Sequence, residues 1–379
     1  MQDRRHPVKR AGQLRWRARL GAALLCLLAL GSAAWADAER ATERGDERPV
    51  LDLPSPIGRL TYTPGRGVHV GDTGVTLGGY SNLNLSRDDG GPGLLSLDDL
   101  SLFFVWDPHP RFHLFSELEF EDLVQVDDHG HVATDVWTFT AERLFADVAL
   151  TDRLSLRVGK FLTPVGRWNV IHAQPLVWTT TRPLATLLPF DPHTTGAGLS
   201  GWLAAPRGTL GYTLYGQFSD QLDPSIEPQL AHRSGGGRVQ YDAWGSWSVG
   251  ASVLAFSSES VGGLLVPTSD RWRTLTGVDL LWRRGPFEVM GEVARERGQW
   301  GLYLQGVVEP LPRVLPNIYL VGRYEHYDPP SAAPTVDMGV AGLAWKPRPY
   351  LIFKGEYLFS THRAEESPPG FRSSIAVLF

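Results

Sequence analysis

From about residue 70 to the C-terminus, apolar and polar side chains alternate with a period of two. Phe112, Leu114, Leu118 and Phe120 share one parity, and His113, Glu117, Glu119 and Glu121 share the other. Leu210, Tyr212, Leu214 and Phe218 alternate likewise with Thr209, Thr213, Gln217 and Ser219. Leu351, Phe353, Tyr357 and Phe359 alternate with Lys354, Glu356 and Ser360. Successive strand side chains point to opposite faces, so this period marks strands; a helix repeats about every 3.6 residues. Sixteen segments carry the pattern: 74–85, 97–106, 111–121, 135–149, 154–162, 195–203, 209–219, 235–244, 246–257, 271–283, 286–296, 300–309, 317–327, 335–346, 350–361 and 371–379. Their lengths lie near the roughly 9–11 residues of a tilted transmembrane strand. Leu100 to Trp106 is apolar on both parities, which leaves its register open. The expected fold is all-β, a transmembrane antiparallel β-barrel of about sixteen strands, an even number as bacterial barrels have.

The connections support this. Asp107-Pro108-His109-Pro110, Thr151-Asp152-Arg153, Ala205-Pro206-Arg207-Gly208, Arg284-Gly285 and Pro347-Arg348-Pro349 are tight turns, built from residues that suit turn backbones. Between them come the longer segments 86–96, 122–134, 163–194, 220–234, 258–270, 328–334 and 362–370. Short and long connections alternate apart from 310–316, a longish turn, and 297–299, a short loop; short ones face the periplasm in such barrels and long ones face outside. Both termini are then periplasmic. Trp106, Trp202, Trp244, Trp282 and Trp345 each precede a short turn, as an interfacial indole girdle requires. Ile375, Val377 and Phe379 alternate in a final strand ending on an aromatic residue. This resembles the signal that the barrel-assembly machinery reads.

Composition changes the picture at the N-terminus. Seven basic residues precede the apolar run Leu20 to Leu30, which is too short to span a bilayer, and Ala34-Trp35-Ala36 follows with small residues at −3 and −1. Residues 1–36 read as a signal peptide, 37–68 as a charged, proline-bearing periplasmic segment (a tail or plug), and 69–379 as the barrel. The signal contains the one cysteine, Cys26, so disulfide and thiolate chemistry are excluded from the remainder. It also takes away seven of 36 basic and one of 41 acidic residues, leaving 29 and 40, a formal charge of −11 rather than −5. Nucleic acid is therefore no expected partner, since its recognition rests on a basic footprint.

Candidate chemistry follows from the inward parity. Acids there include Glu117, Glu119, Glu121, Asp279, Glu288, Glu292, Glu325 and Glu356; bases include Arg157, Arg238, Arg323 and Lys354. The connection 163–194, with five prolines, adds Arg167 and Arg182. A structureless connection of about 30 residues is usually functional. Pore-lining or constriction candidates are Glu117, Glu119, Arg157, Arg167, Arg182, Arg323, Lys354 and Glu356, because opposed charges across a narrow zone sort solutes by field. His129-Gly130-His131 beside Asp127 and Asp128 suits a metal, but loop polarity explains it as well, and no metal site, cofactor or catalytic group is assigned. No HExxH, GxSxG or phosphate-cradling glycine motif lies in a strand–helix setting.

Leu156-Arg157-Val158-Gly159-Lys160-Phe161-Leu162-Thr163-Pro164-Val165-Gly166 resembles a conserved stretch of the phosphate-selective porin O/P family. The close match covers about a dozen residues; strand number and third-loop position extend it loosely. The resemblance implies a porin in the outer membrane of a Gram-negative bacterium, with the third loop folded into the lumen and a homotrimeric assembly. It also implies inward Arg and Lys for phosphate, from which this acidic chain departs: Lys160, Lys346 and Lys354 are its lysines beyond the signal. The leading expectation is passive diffusion of small polar or ionic solutes. The alternatives are a lipid-modifying hydrolase on the barrel wall, or a closed structural or adhesive barrel.

Overall fold

The computed structural model describes residues 49–135, 137–171, 173–187, 189–219, 230–243, 246–259, 272–330, 334–363 and 367–379. The expected signal 1–36, residues 37–48, Trp244 and parts of the long connections 220–234, 258–270, 328–334 and 362–370 lie outside the described residues. Three short strands come first: β1 (Leu51–Ser55), β2 (Gly58–Thr63) and β3 (Gly67–Val70). The wall follows with β4 (Val75–Asp88), β5 (Gly93–His109), β6 (Phe112–Asp127), the two-residue β7 (Val132–Ala133), β8 (Thr138–Thr151), β9 (Leu154–Leu162) and β10 (His193–Ala205). It continues through β11 (Gly208–Gln217), β12 (Leu230–Ala243), β13 (Trp247–Glu259), β14 (Arg273–Arg284) and β15 (Phe287–Glu296). It ends with β16 (Gln299–Val308), β17 (Ile318–Asp328), β18 (Val336–Arg348), β19 (Leu351–Ser360) and β20 (Gly370–Leu378).

Apart from β7, each strand from β4 to β20 pairs antiparallel with the next, and β20 pairs back on β4, so sixteen strands close a barrel. At the seam Ile375 faces Leu83 and Leu378 faces Tyr80. Phe379 and Gly79 exchange backbone hydrogen bonds of 2.9 and 3.0 Å. Closure removes the unpaired edges that hydrocarbon would not tolerate. The outer face is apolar on strand after strand: Leu102, Val158, Leu199, Val239, Val278, Leu304, Leu343 and Ile375 are all exposed. Trp106, Trp202 and Trp345 are exposed near the short turns, and Trp282 sits opposite Trp247. A lipid surround suits such a surface and water does not. The barrel is an outer-membrane one.

All sixteen expected strands are present, and 154–162 coincides with β9. One difference has a physical cause. The expected long connection 86–96 is a tight hairpin, because β4 and β5 stay paired as far as Arg87 and Gly93. Beyond the bilayer a strand needs no apolar face, so polar residues there extend the ladder while reading as loop. The ambiguous stretch resolves with Leu102, Phe104 and Trp106 outward and Ser101 inward, hydrogen-bonded to Glu119.

Candidate functional site

The site is built where the β9–β10 connection, residues 163–192, meets the inner wall. Its two ends are tied together. Thr163 N donates to Pro192 O at 2.8 Å, and Asn169 Nδ2 donates to the carbonyls of Thr163 and Pro192 at 2.8 and 3.0 Å. At Gly166 the backbone takes φ 64°, and a Cβ there would meet the Glu292 carboxylate at 1.9 Å. Glycine is required at that bend.

Three wall glutamates then hold the connection by its backbone. Trp168 N, in the one-turn α1 (Trp168–Ile171), donates to Glu292 Oε1 at 2.6 Å. Thr180 N and Thr181 N donate to Glu356 at 3.0 and 2.8 Å, and the Thr181 hydroxyl adds a third bond at 2.6 Å. Leu184 N, opening α2 (Leu184–Leu187), donates to Glu325 Oε2 at 2.8 Å. Bonds from N–H to carboxylate are about twice as strong as neutral ones. Apolar contacts reinforce them: Val165 and Phe190 pack among Phe161, Tyr215 and Phe256, Leu184 against Met338 and Leu358, and Trp168 and Val177 against Met290 and Tyr303.

The bases of this half of the wall and of the connection serve the same attachment. Arg323 donates to Glu325 at 2.7 Å, to the Thr179 hydroxyl at 2.5 Å and to the Thr181 carbonyl at 2.8 Å. Lys354 Nζ reaches the Gln174 and Thr179 carbonyls at 3.0 and 3.1 Å and Gln174 Oε1 at 2.7 Å. Arg167 lies 3.4 Å from Asp279, which also accepts from Arg238 at 2.5 Å, and donates to the Ser248 hydroxyl. Arg182 folds back within the connection, donating to Asn169 Oδ1 and the Thr186 carbonyl, both at 2.6 Å. Arg167, Arg238, Arg323 and Lys354 are all buried.

Eight strands around the ring from β15 stands β6, whose Phe115 packs against the apolar cluster around Val165 and Phe190 but whose carboxylates take no part in these hydrogen bonds. Here the charge is acidic. Glu119 Oε1 accepts from the Tyr80 and Ser101 hydroxyls, each at 2.7 Å. Glu117 is paired with Arg143. A bulge between Leu97 and Asp99 turns both Asp98 and Asp99 toward Asn82, whose Nδ2 lies 3.5 and 3.4 Å from them. Such bulges re-aim side chains. Glu142, on the β8 side of another bulge, meets His193 Nε2 at 2.8 Å. Asp98, Asp99, Glu121 and Glu142 stay partly exposed, whereas Glu117 and Glu119 are buried.

The structure thus gathers Arg167, Arg182, Arg323, Lys354 and Glu356 at the docked connection and sets Glu117 and Glu119 opposite. Arg157 belongs to neither group. It forms a double hydrogen bond with Asp147 at 2.8 and 2.7 Å, its guanidinium 3.8 Å from the Phe145 ring centre. Sequence reasoning missed Asp98, Asp99 and Glu142, because bulges break the parity that would reveal them. It also missed Thr179 to Thr181 and His193, for which no local signal exists. In the loop after β6, His129 pairs with Asp128 and His131 with Asp127, each at 2.8 Å. The group Asp127, Asp128 and His129 is close enough for an ion, but both histidines are exposed and already paired.

No family model matches the chain. An uncharacterized protein of Aquifex aeolicus (strain VF5) is 21% identical, with 81% of this chain and 80% of that protein covered. Among solved structures, Salmonella typhi OmpF in complex with daunomycin aligns with a TM-score of 0.56 at 11% identity, covering 81% of this chain and 98% of that one. The trimer form of OmpT, an outer membrane protein of Vibrio cholerae, gives 0.51 at 10% identity, over 80% and 99%. The low-pH structure of Pseudomonas putida OprB gives 0.51 at 8% identity, over 81% and 93%. What these likenesses establish is the fold, that of the outer-membrane porins.

Proposed function

We propose that the barrel is a passive channel for small polar or ionic solutes, narrowed at mid-height by the docked connection 163–192, and that it prefers cations. One observation carries the preference. Arg167, Arg182, Arg323 and Lys354 are occupied in holding the connection, while Asp98, Asp99, Glu121 and Glu142 remain partly exposed on the facing wall. A cation passing between them meets carboxylates, and carboxylate-lined pores favour cations. The short-turn end faces the periplasm, and the assembly is a trimer of barrels.

The resemblance around Arg157 to Gly166 supports kinship with the phosphate-selective porins in strand and loop. It does not extend to a ladder of free bases: each basic candidate has a carboxylate, hydroxyl or carbonyl partner. A hydrolase would need an activated nucleophile on the wall. His326 is hydrogen-bonded to Asp337 at 2.9 Å, but the hydroxyl on that carboxylate is that of Tyr324, which donates to Asp337 at 2.7 Å.

The test is the reversal potential of the purified protein in a planar bilayer under a salt gradient. Discrete conductance steps with a cation-favouring potential are expected. Anion preference lost on Arg167→Ala would favour the phosphate reading instead, and absence of steps would favour a closed barrel.

A further inference from the structure

The three strands ahead of the wall have two unlike faces. β3 pairs with the start of β4, β2 with β3, and β1 with β2, all antiparallel. Directly opposed residues share a face, so the registers define rows across the sheet. One row runs Phe104, Leu77, Val68, Tyr62, Leu51; the next runs Trp106, Val75, Val70, Leu60, Leu53. Between them on the other face runs Val105, Thr76, His69, Thr61, Asp52. That face is polar beyond the barrel, with an Asp52–Arg59 ion pair and a 3.1 Å contact between His69 Nδ1 and the Thr76 hydroxyl.

The two apolar rows begin on the lipid-facing wall, at Phe104 and the girdle residue Trp106, and continue onto the meander without a polar break. Leu51 and Leu53 are 46% and 47% exposed, against 46% for Leu77, 38% for Phe104 and 37% for Trp106; between them Leu60, Tyr62, Val68 and Val75 are half-buried and Val70 is buried. Ile57, in the β1–β2 turn, is 64% exposed. An apolar face that carries on from a membrane-facing belt is disfavoured against water, and lipid is the occupant it fits.

We infer that β1–β3 form a membrane-surface flange, seated with Leu51, Leu53, Leu60, Tyr62 and Val68 against the acyl–headgroup boundary of the leaflet at the short-turn end. The boundary suits the strands better than the hydrocarbon core. Among the described residues β1 pairs with β2 alone, and its outer edge requires the hydrogen-bonding partners that headgroups and water supply and acyl chains lack. The β2–β3 turn meets the wall at Tyr350, where a Cβ on Gly65 would lie 2.7 Å from the Tyr350 Cβ, which fixes the flange beneath the β18–β19 turn. Nothing in this inference depends on what passes through the barrel.

Site-directed spin labels in liposomes test it, since Cys26 precedes the barrel and lies in the expected signal. Labels at Leu53→Cys and Tyr62→Cys should collide several-fold more with oxygen, relative to a water-soluble nickel chelate, than labels at Thr61→Cys and Arg59→Cys. Leu77→Cys sets the lipid-facing reference. Equal nickel access on both faces would overturn the flange, as would strong spin–spin coupling at Leu53→Cys, which would put a second copy there. The unsubstituted chain offers a second measurement: a photoactivatable phospholipid with its reactive group high on the acyl chain should label peptides within residues 51–70. Labelling confined to peptides from β4 onward would refute the inference.

Discussion

Glu356 shows how much one inward side chain does. It accepts two backbone N–H groups and a hydroxyl from Thr180 and Thr181, about 175 positions away in the sequence. Glu356→Gln keeps the shape but loses the charge, and hydrogen bonds to charged groups contribute about 1.5–3 kcal/mol. The variant should insert normally, yet release the middle of the connection. Higher single-channel conductance with frequent brief transitions is the expected trace; a trace identical to wild type would mean that Glu325 and Glu292 suffice. The parity of β19 showed from sequence that Glu356 and Lys354 point inward. What they hold was not legible, because their partners sit in a stretch without periodicity. The same limit applies to Arg323: its inward direction follows from alternation, and its Thr179 partner, 144 positions away, does not. The bulges hid Asp98, Asp99 and Glu142 more completely, by breaking the one rule that sequence reading had to apply.

Among the elements, the connection 163–192 and strand β20 invite the clearest tests. Replacing Val165 to Pro189 by a short Gly-Ser bridge should raise conductance several-fold, because a constriction dominates the resistance of a pore. Unchanged conductance would remove the connection from the permeation path. Its length and prolines marked it in the sequence as unusual, and its destination follows from the wall carboxylates that receive it. For β20, Phe379→Asp should lower the yield of heat-modifiable protein in the membrane. The backbone of Phe379 completes the seam with Gly79, and an acid there would put a charge on the outward side and remove the aromatic of the proposed assembly signal. Normal yields would separate the seam from recognition by the assembly machinery.

At the scale of the molecule the fold was the most legible part, since sixteen strands each repeat one simple rule. Individual ends moved wherever ladders outran the bilayer, as at β4, β5 and β6. The topology predicts that an epitope inserted after Asp128 is accessible on intact cells and that one at Arg153 or Arg348 is not; reversed labelling would invert the orientation. The proposed cation preference belongs here as well, since it would sum the partly exposed carboxylates of β5, β6 and β8. Glu121→Gln combined with Asp98→Asn should shift the reversal potential toward zero, more visibly at low salt, because screening falls to about 10 Å only at 0.1 M. Finally, the closure of the wall has a consequence in time. Arg372 of β20 bonds Asp88 of β4, 284 positions away, so the ring cannot seal until almost the whole barrel sequence has been delivered. Before that moment a strand edge stands open and sticky, and contacts so distant in sequence form slowly. Until then the two unpaired edges, on β4 and on the last strand delivered, must be kept from pairing with other chains.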